Sequence, residues 1–540
     1  MRKESFLRRV STLLMVAGVL VLGESCTDLE PSFNDSEDTS GESGSASFGG
    51  VANSSATLDA LYTSDASNGL GIFRATTQQD DYALVEVAAD NIAVLTRGAD
   101  WSDNGVWRVL HAHTWDANHL YVLQAWNKHN AGVLLATQLL DSRSGPSPAE
   151  TAQAQVIRAY HLFSLVDYFG QVPFRDLDAD SSELPSVLTA QEAMALAQGD
   201  LDAAIASGNL SAHGPGAPLR GDDRSVTLSG AGQAFALFLR ARINLNLEVL
   251  TGTAGDMNQV ISDVDAIEAL GFTLDGIGAD DPDGDESYFD IWNLAGNTNQ
   301  EVIFMLDEDA RTRLYNQTHP NQGGWNGFVT MTETFRLHGT DDPAVDARVG
   351  LSGEDSEGLS TGYIRGQQRA PDGSNLTDRQ ANPLIYEDEL LTSLEVNNER
   401  NGLRIVKYPV RSATGGLPGG GFNDYVYARF TDAALMRAEA GLRGGSGAML
   451  TPLAEVNAVR ERANVAPLGS LTLAEMPDIL ARELNGEGVL GGRRLVQRRF
   501  GTFTSETWEM KTVTDENRDL YPIPGSAIAT NPNLTQNPGY

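Results

Sequence analysis

Apolar side chains recur at helical spacing through most of this chain, and the clearest run is 150–170. There Val156, Tyr160, Phe163 and Val166 fall on one stripe, Gly170 ends the pattern and Pro173 prevents its restart. Further predicted helices come in pairs: 109–126 with 127–140, 231–250 with 258–270, and 432–442 with 452–462. Helix pairs of this size suggest tetratricopeptide-like hairpins, in which each unit buries its apolar face by stacking on the next. The spacing between pairs is irregular and the loops are long.

Both ends break the helical pattern. At the C-terminus, Pro522, Pro524, Pro532 and Pro538 remove backbone donors, so 519–540 is predicted as an extended strap, neither helix nor central strand. Leu520, Tyr521, Ile523, Ile528, Leu534 and Tyr540 are spaced along it as docking anchors. At the N-terminus, Arg2, Lys3, Arg8 and Arg9 precede the apolar run 13–22, small residues and then Cys26. That is the layout of a bacterial signal peptide (1–25) ending at a lipidation cysteine, and the apolar run is too short for a permanent span. Cys26 is the one cysteine in the chain, so no intramolecular disulfide can form and lipid attachment is its simplest use. The match departs at Gly23, where such signals usually carry Leu. Residues 26–50 are acidic and Ser/Gly-rich, a tether rather than a packed segment, leaving 51–540 as a single folded domain.

Charge narrows the partners. The formal net charge is -35, with four lysines (Lys3, Lys128, Lys407, Lys511) against 34 arginines, which argues against nucleic acid and anionic surfaces. A lysine-poor, Asp-rich balance resembles that of proteins from high-salt habitats. Hydrophobic residues make up 41% of the chain, enough for a large core.

Catalytic signatures are sparse. There is no Gly-x-Ser-x-Gly elbow, phosphate loop or His-Glu-x-x-His helix, and paired-acid glycoside hydrolysis is the enzymatic reading that so acidic a composition leaves open. His111 and His113 stand two apart on a predicted helix, so they diverge and make a poor metal pair. Asp281, Asp283 and Asp285 alternate around Gly284, a spacing that lets oxygens converge on Ca²⁺, although Trp292 stands where an EF-hand loop carries its closing Glu. A solvated acidic loop competes with that metal reading. Two polar loops carry aromatics suited to stacking on a ligand: 97–104, with Trp101 and Asn104, and 314–328, with Tyr315, Trp325 and Asn326. Trp101 and Trp325 could equally cover edges of the core.

Several segments together resemble one family. The ending Asp519-Leu-Tyr-Pro-Ile-Pro, the opening Cys26-Thr-Asp-Leu-Glu, the helix with Arg158-Ala-Tyr running into Phe169-Gly-Gln-Val-Pro, and the stretch 287–304 ending in Glu301-Val-Ile-Phe all match SusD/RagB-like lipoproteins. So do Arg429-Phe-Thr-Asp-Ala-Ala-Leu-Met-Arg-Ala-Glu-Ala440 and Asn457-Ala-Val-Arg-Glu-Arg-Ala463. Gln497 departs from the family's pattern, standing where an Asp is usual. The resemblance implies a mainly α, tetratricopeptide-like scaffold with a few short strands and long loops building a ligand face. It implies a non-enzymatic, surface-exposed, lipid-anchored outer-membrane protein that binds an oligosaccharide or oligopeptide and hands it to a SusC-like TonB-dependent barrel. Glycan-binding members use a Trp and an Asn in the neighbourhood of Trp101 and Asn104. Arg429, Glu439, Arg460 and Arg462 are expected to form ion pairs between helices. A surface glycoside hydrolase and a purely structural repeat scaffold are the alternatives.

Overall fold

The computed structural model describes residues 48–62, 81–212, 231–275, 288–292, 299–306, 327–350, 361–369, 373–407, 425–488 and 490–540. They fall within one unit, Ser47–Tyr540. In chain order, α1 (Ser54–Tyr62) is followed by a π-helical turn (Ala83–Val87), β1 (Ile92–Val94), α2 (Val106–His111), α3 (Leu120–Leu140) and α4 (Pro148–Phe169). Next come β2 (Gln171–Phe174), β3 (Ser186–Thr189), α5 (Ala190–Ala206), α6 (Gln233–Thr251), α7 (Met257–Ala269), β4 (Val302–Leu306), β5 (Phe328–Thr330) and α8 (Thr332–Arg336). The remainder is β6 (Gly362–Ile364), β7 (Gly366–Gln367), β8 (Ile385–Tyr386), β9 (Arg404–Val406), β10 (Tyr425–Arg429), α9 (Phe430–Leu442), α10 (Pro452–Arg462), α11 (Met476–Leu484), α12 (Gly492–Phe500) and α13 (Gly525–Thr530).

The long helices pack in series, α3 on α4, α4 on α5, α5 on α6, α6 on α7, α7 on α9 and α9 on α10. This is the stacked-hairpin scaffold expected from the sequence. The strands form antiparallel two-stranded ladders, β1 with β5, β2 with β3, β4 with β10, β6 with β9 and β7 with β8. Among the described residues, no helix is long and apolar enough to cross a membrane.

Helix α4 starts where its sequence says it should: Ser147 and Glu150 form a reciprocal capping box, Pro148 opens the first turn and Gly170 closes the helix with φ 71°. The pairing predicted at 109–140 is wrong. Residues 120–140 are one helix, because Tyr121, Val122, Ala125, Trp126, His129, Val133, Ala136 and Leu139 make an unbroken buried stripe through Asn127. The break comes earlier, at 112–119, where His113 has φ 57°. The partner of α3 is α4, and the partner of α4 in turn is α5, a helix outside the predicted pairs whose start is marked by a Thr189/Glu192 capping box.

The C-terminal strap docks as expected but is not wholly extended. Six residues between Pro524 and Asn531 coil into α13, a proline-free window that the flanking prolines delimit. Tyr521 is fully buried, its N–H donates to Tyr168 O at 2.8 Å and its hydroxyl to Leu84 O at 2.7 Å. Asn537 donates to Phe169 O and Tyr521 O, and Tyr540 receives the Trp115 indole N–H at 2.6 Å.

The expected ion pairs are present with one exception. Arg429 reaches Glu301, Glu483 and Glu487, Arg462 reaches Glu301, and Glu439 holds Arg443 and Arg499. Arg460 instead donates from Nε and Nη2 to the Ala466 carbonyl, because the chain turns back beneath it after α10. At the family departure, Gln497 is buried, and its neighbours Arg494 and Arg498 converge on Asp167 of α4.

Candidate ligand face around Trp101

The β1–β5 ladder sets Val94 opposite Phe328, and Leu95 N–H donates to Gly327 O at 3.2 Å. From this anchor the chain makes a tight turn in which Arg97 and Asp100 exchange backbone hydrogen bonds of 3.0 Å. Then Trp101 (φ 59°), Asp103 (φ 32°) and Asn104 (φ 53°) occupy the left-handed region, which non-glycine residues visit at a cost. The surroundings hold them there. Thr96 Oγ1 donates to Trp101 O at 3.2 Å, and Trp107 Nε1 donates to Asp103 Oδ2 at 2.7 Å.

The Trp101 indole is half-buried, edge-on to Phe328 (5.5 Å between centroids) and to Trp107 (6.1 Å). Gly327 lies on it: a Cβ at 327 would fall 2.4 Å from the indole ring, so only glycine permits the approach. Asn104 is exposed, and its amide takes no partner among the described residues. The loop therefore fixes one aromatic against the core and turns one amide outward.

A second segment, distant in sequence, completes the rim. Thr96 N–H donates to Leu394 O at 3.0 Å, and Asn397 Nδ2 to Thr96 O at 3.4 Å, so 393–398 is stitched across the Trp101 loop. Its tip carries Val396, 83% exposed, and Glu395, which pairs with Arg108 at 3.6 Å. Arg379 bridges Asp100 and Glu399, with 2.6 Å to the latter. Burial, reinforced by Arg404, pushes the Arg97 guanidinium down to about 10, so it remains charged at neutral pH. Arg108, Arg379, Glu395 and Val396 were not among the sequence candidates, and nothing local in the sequence ties them to Trp101. Chemically this face combines an aromatic edge, an outward amide, carboxylates and guanidinia, a set able to donate and accept hydrogen bonds around an apolar patch.

The other sequence candidates, Tyr315, Trp325, Asn326, Asp281, Asp283, Asp285 and Cys26, lie outside the described residues. His111 and His113 do not share a helix as predicted, because α2 ends at His111; both are buried, His111 Nε2 meeting Glu509 O at 2.8 Å and His113 Nε2 meeting Ala88 O at 2.7 Å. Among the described residues no group of three or more His, Cys, Asp or Glu is placed to hold a metal ion.

No protein-family model matches the chain. The starch-binding protein SusD of Bacteroides thetaiotaomicron is 27% identical over 454 residues, covering 74% of this chain and 75% of that protein. Among solved structures, a SusD superfamily protein from Parabacteroides distasonis superposes with a TM-score of 0.65 at 17% identity, covering 90% of this chain and 98% of that one. Surface glycan-binding protein A from Bacteroides uniformis gives a TM-score of 0.61 at 20% identity, and its namesake from Bacteroides thetaiotaomicron in complex with laminarihexaose gives 0.57 at 17%. Each of these two comparisons covers 90% of this chain and 98% of the other. Sequence similarity to SusD over three quarters of the chain and a scaffold of stacked helical hairpins shared with a SusD superfamily structure are what this chain has in common with SusD-like proteins.

Proposed function

We propose that the protein binds an oligosaccharide at the cell surface and delivers it to a TonB-dependent outer-membrane transporter, performing no chemistry itself. In this reading Trp101 and Asn104 contact the ligand, and Tyr315, Trp325 and Asn326 complete the face. The observation that carries it is the contact of Gly327 with the Trp101 indole. Asn326 directly precedes Gly327 in the chain and Trp325 precedes Asn326, which supports reading the two loops selected from sequence as one face. The similarity to a starch-binding protein supports an oligosaccharide as the ligand class, and a surface glycan-binding protein with laminarihexaose shares the fold. Residues 1–25 act as a signal peptide and Cys26 as the lipid anchor, with 26–50 as the tether.

The binding step is tested by affinity electrophoresis of the full chain through gels containing starch or laminarin. Retardation by one polymer, relieved in Trp101→Ala and Asn104→Ala, is the expected result; equal mobility of all three proteins in every glycan sinks the site assignment. The delivery step is tested by mild-detergent extraction of native membranes. A barrel copurifying in near-equal amount is expected, and recovery of the protein alone at every salt concentration removes the transporter.

A further inference from the structure

A recess of about 600 Å³ opens at the far end of α3 from Trp101. Trp101 meets Trp107, and Trp107 meets Tyr121 in the first turn of α3, whereas Thr137 and Leu140 of the last turns line the recess. A helix of 21 residues separates the two places by about 30 Å at 1.5 Å per residue. The recess is therefore a separate place, floored by the half-buried Phe174 ring and Leu140 and walled by α4 and the loop after β2.

Most charged groups there are already committed to the fold. Asp141 holds Arg143 through two bonds of 2.7 and 2.6 Å, Arg143 also pairs with Asp178 at 2.8 Å, and Arg158 clamps Asp200 at 2.7 and 2.8 Å. Two polar groups are not: the neutral Gln155 amide and the Arg175 guanidinium line the recess, half-buried, and take no partner among the described residues. Next to Arg175, the exposed Asp176 carboxylate accepts, among the described residues, only the N–H of Asp178, at 2.9 Å, from within its own loop.

This combination selects by chemistry. An anion would meet Asp176 and Asp178, and a cation would meet Arg175. A neutral polyhydroxyl ligand uses both, because each hydroxyl donates and accepts, and its apolar CH face covers an aromatic floor. We propose that the recess is a second saccharide subsite, with Gln155 and Arg175 donating, Asp176 accepting and Phe174 stacking. It rests on the reading of the chain as a glycan-binding protein. A glycan long enough to reach both places would be held at two points, which raises avidity by effective concentration without any new contact.

The test uses the full chain, maltohexaose and laminarihexaose as short probes, and starch and laminarin as long ones. Gln155→Ala and Arg175→Ala are expected to leave the fold intact, since neither side chain has a hydrogen-bond or ion-pair partner among the described residues, and a thermal melt verifies it. In the wild type, titration calorimetry with the preferred hexasaccharide is expected to give two sites, and Trp101→Ala one. The triple variant Trp101→Ala/Gln155→Ala/Arg175→Ala is expected to bind nothing, and Gln155→Ala/Arg175→Ala to lose about tenfold or more in affinity for the matching polymer. Complete loss of binding in Trp101→Ala alone, or an unchanged polymer affinity in Gln155→Ala/Arg175→Ala, overturns the subsite and leaves the glycan reading standing. Absence of wild-type binding to all four glycans removes both.

Discussion

Glu86 caps a helix that begins at the other end of the chain: its Oε1 accepts the backbone N–H of Arg493 at 3.3 Å, across 407 positions. Helix α12 needs this because its N-cap is Gly491, which has no side chain to satisfy the first-turn donors. The other carboxylate oxygen accepts from Asn91 Nδ2 at 2.8 Å, and Asp90 clamps the Arg493 guanidinium at 2.6 and 2.8 Å. Three residues of the β1 region thus fasten the last long helix.

Burial pushes the Glu86 carboxyl up to about 7, against bonds from Asn91 and Arg493 that lower it. Because the folded value lies above the unfolded one, the stability linked to its protonation is full below about pH 4.5 and is lost as pH rises through 7. Glu86→Gln keeps an acceptor and removes the charge. Urea denaturation at pH 5 and pH 8 is expected to show the variant close to wild type at the lower pH. At pH 8 the variant is expected to be the more stable, by on the order of 2–3 kcal/mol. An identical gap at both pH values would show that Glu86 does not titrate in this range.

Gly132→Ala is expected to reverse the usual helix preference. In an α-helix interior alanine is favoured over glycine by about 1 kcal/mol, but a Cβ at 132 falls 2.3 Å from His161 Nε2. His161 has no room to retreat: its Nδ1 meets His129 Nδ1 at 3.0 Å, and His129 Nε2 meets Asp81 at 2.9 Å. The substitution therefore costs about 1–3 kcal/mol by overpacking, and adding His161→Ala recovers part of it. Thermal melts of the two single variants and the double variant measure the coupling; strictly additive effects would refute the clash.

Arg429 is the cation on which three buried carboxylates depend, at 3.3 Å to Glu301, 3.1 Å to Glu483 and 2.8 Å to Glu487. Burial raises the Glu483 carboxyl, but Arg429, Arg348 and Arg462 outweigh it and bring it down to about 2. Its stabilisation is therefore present above the unfolded value near 4.5 and is lost as pH falls toward 2. Arg429→Met strands these charges and is expected to cost about 3–5 kcal/mol at pH 7. The loss should shrink in acid, where Glu483 and Glu487 of the variant, no longer held down by Arg429, protonate more readily. Chemical denaturation at pH 7 and pH 4.5 tests both claims, and a loss under 1 kcal/mol at pH 7 would mean that Arg348, Arg462 and Lys407 suffice.

The parts of this fold that sequence reveals are those specified locally. Helix α4 announces itself through Ser147, Pro148, Glu150 and Gly170, and the pairs α6/α7 and α9/α10 through their stripes. Local polarity misleads at Asn127 and Lys128, because Lys128 is buried against Asp81, a partner 47 residues away. Arg460 misleads for a similar reason, since a guanidinium serves a carbonyl as well as a carboxylate. At the candidate site, Trp101 and Asn104 are legible as an aromatic and an amide in a polar loop, and the family resemblance points to the same neighbourhood. The left-handed residues Trp101, Asp103 and Asn104 include no glycine to signal the turn, and its support comes from Gly327, Leu394 and Asn397, far along the chain.

Salt should stabilise this protein, and its lysines indicate why. All three lysines among the described residues are buried: Lys128 on Asp81, Lys407 on Glu487 and the Glu483 carbonyl, and Lys511 on the Phe503 carbonyl and the Trp508 ring. No described ammonium group is therefore left at the surface to offset a net charge of -35. Self-repulsion of that charge weakens the compact state, and raising ionic strength from 0.1 to 1 M shortens the screening length from about 10 to 3 Å. The melting temperature is expected to rise over this range of NaCl, a salt that tests screening with little of the general strengthening of burial that sulfate brings. A falling melting temperature would mean that the surface arginine–carboxylate pairs, such as Arg143–Asp178 and Arg240–Asp202, outweigh the repulsion. The same burial predicts that an amine-reactive label leaves Lys128, Lys407 and Lys511 unmodified in the folded protein and reaches them only as it unfolds, so labelling and melting should follow the same salt dependence.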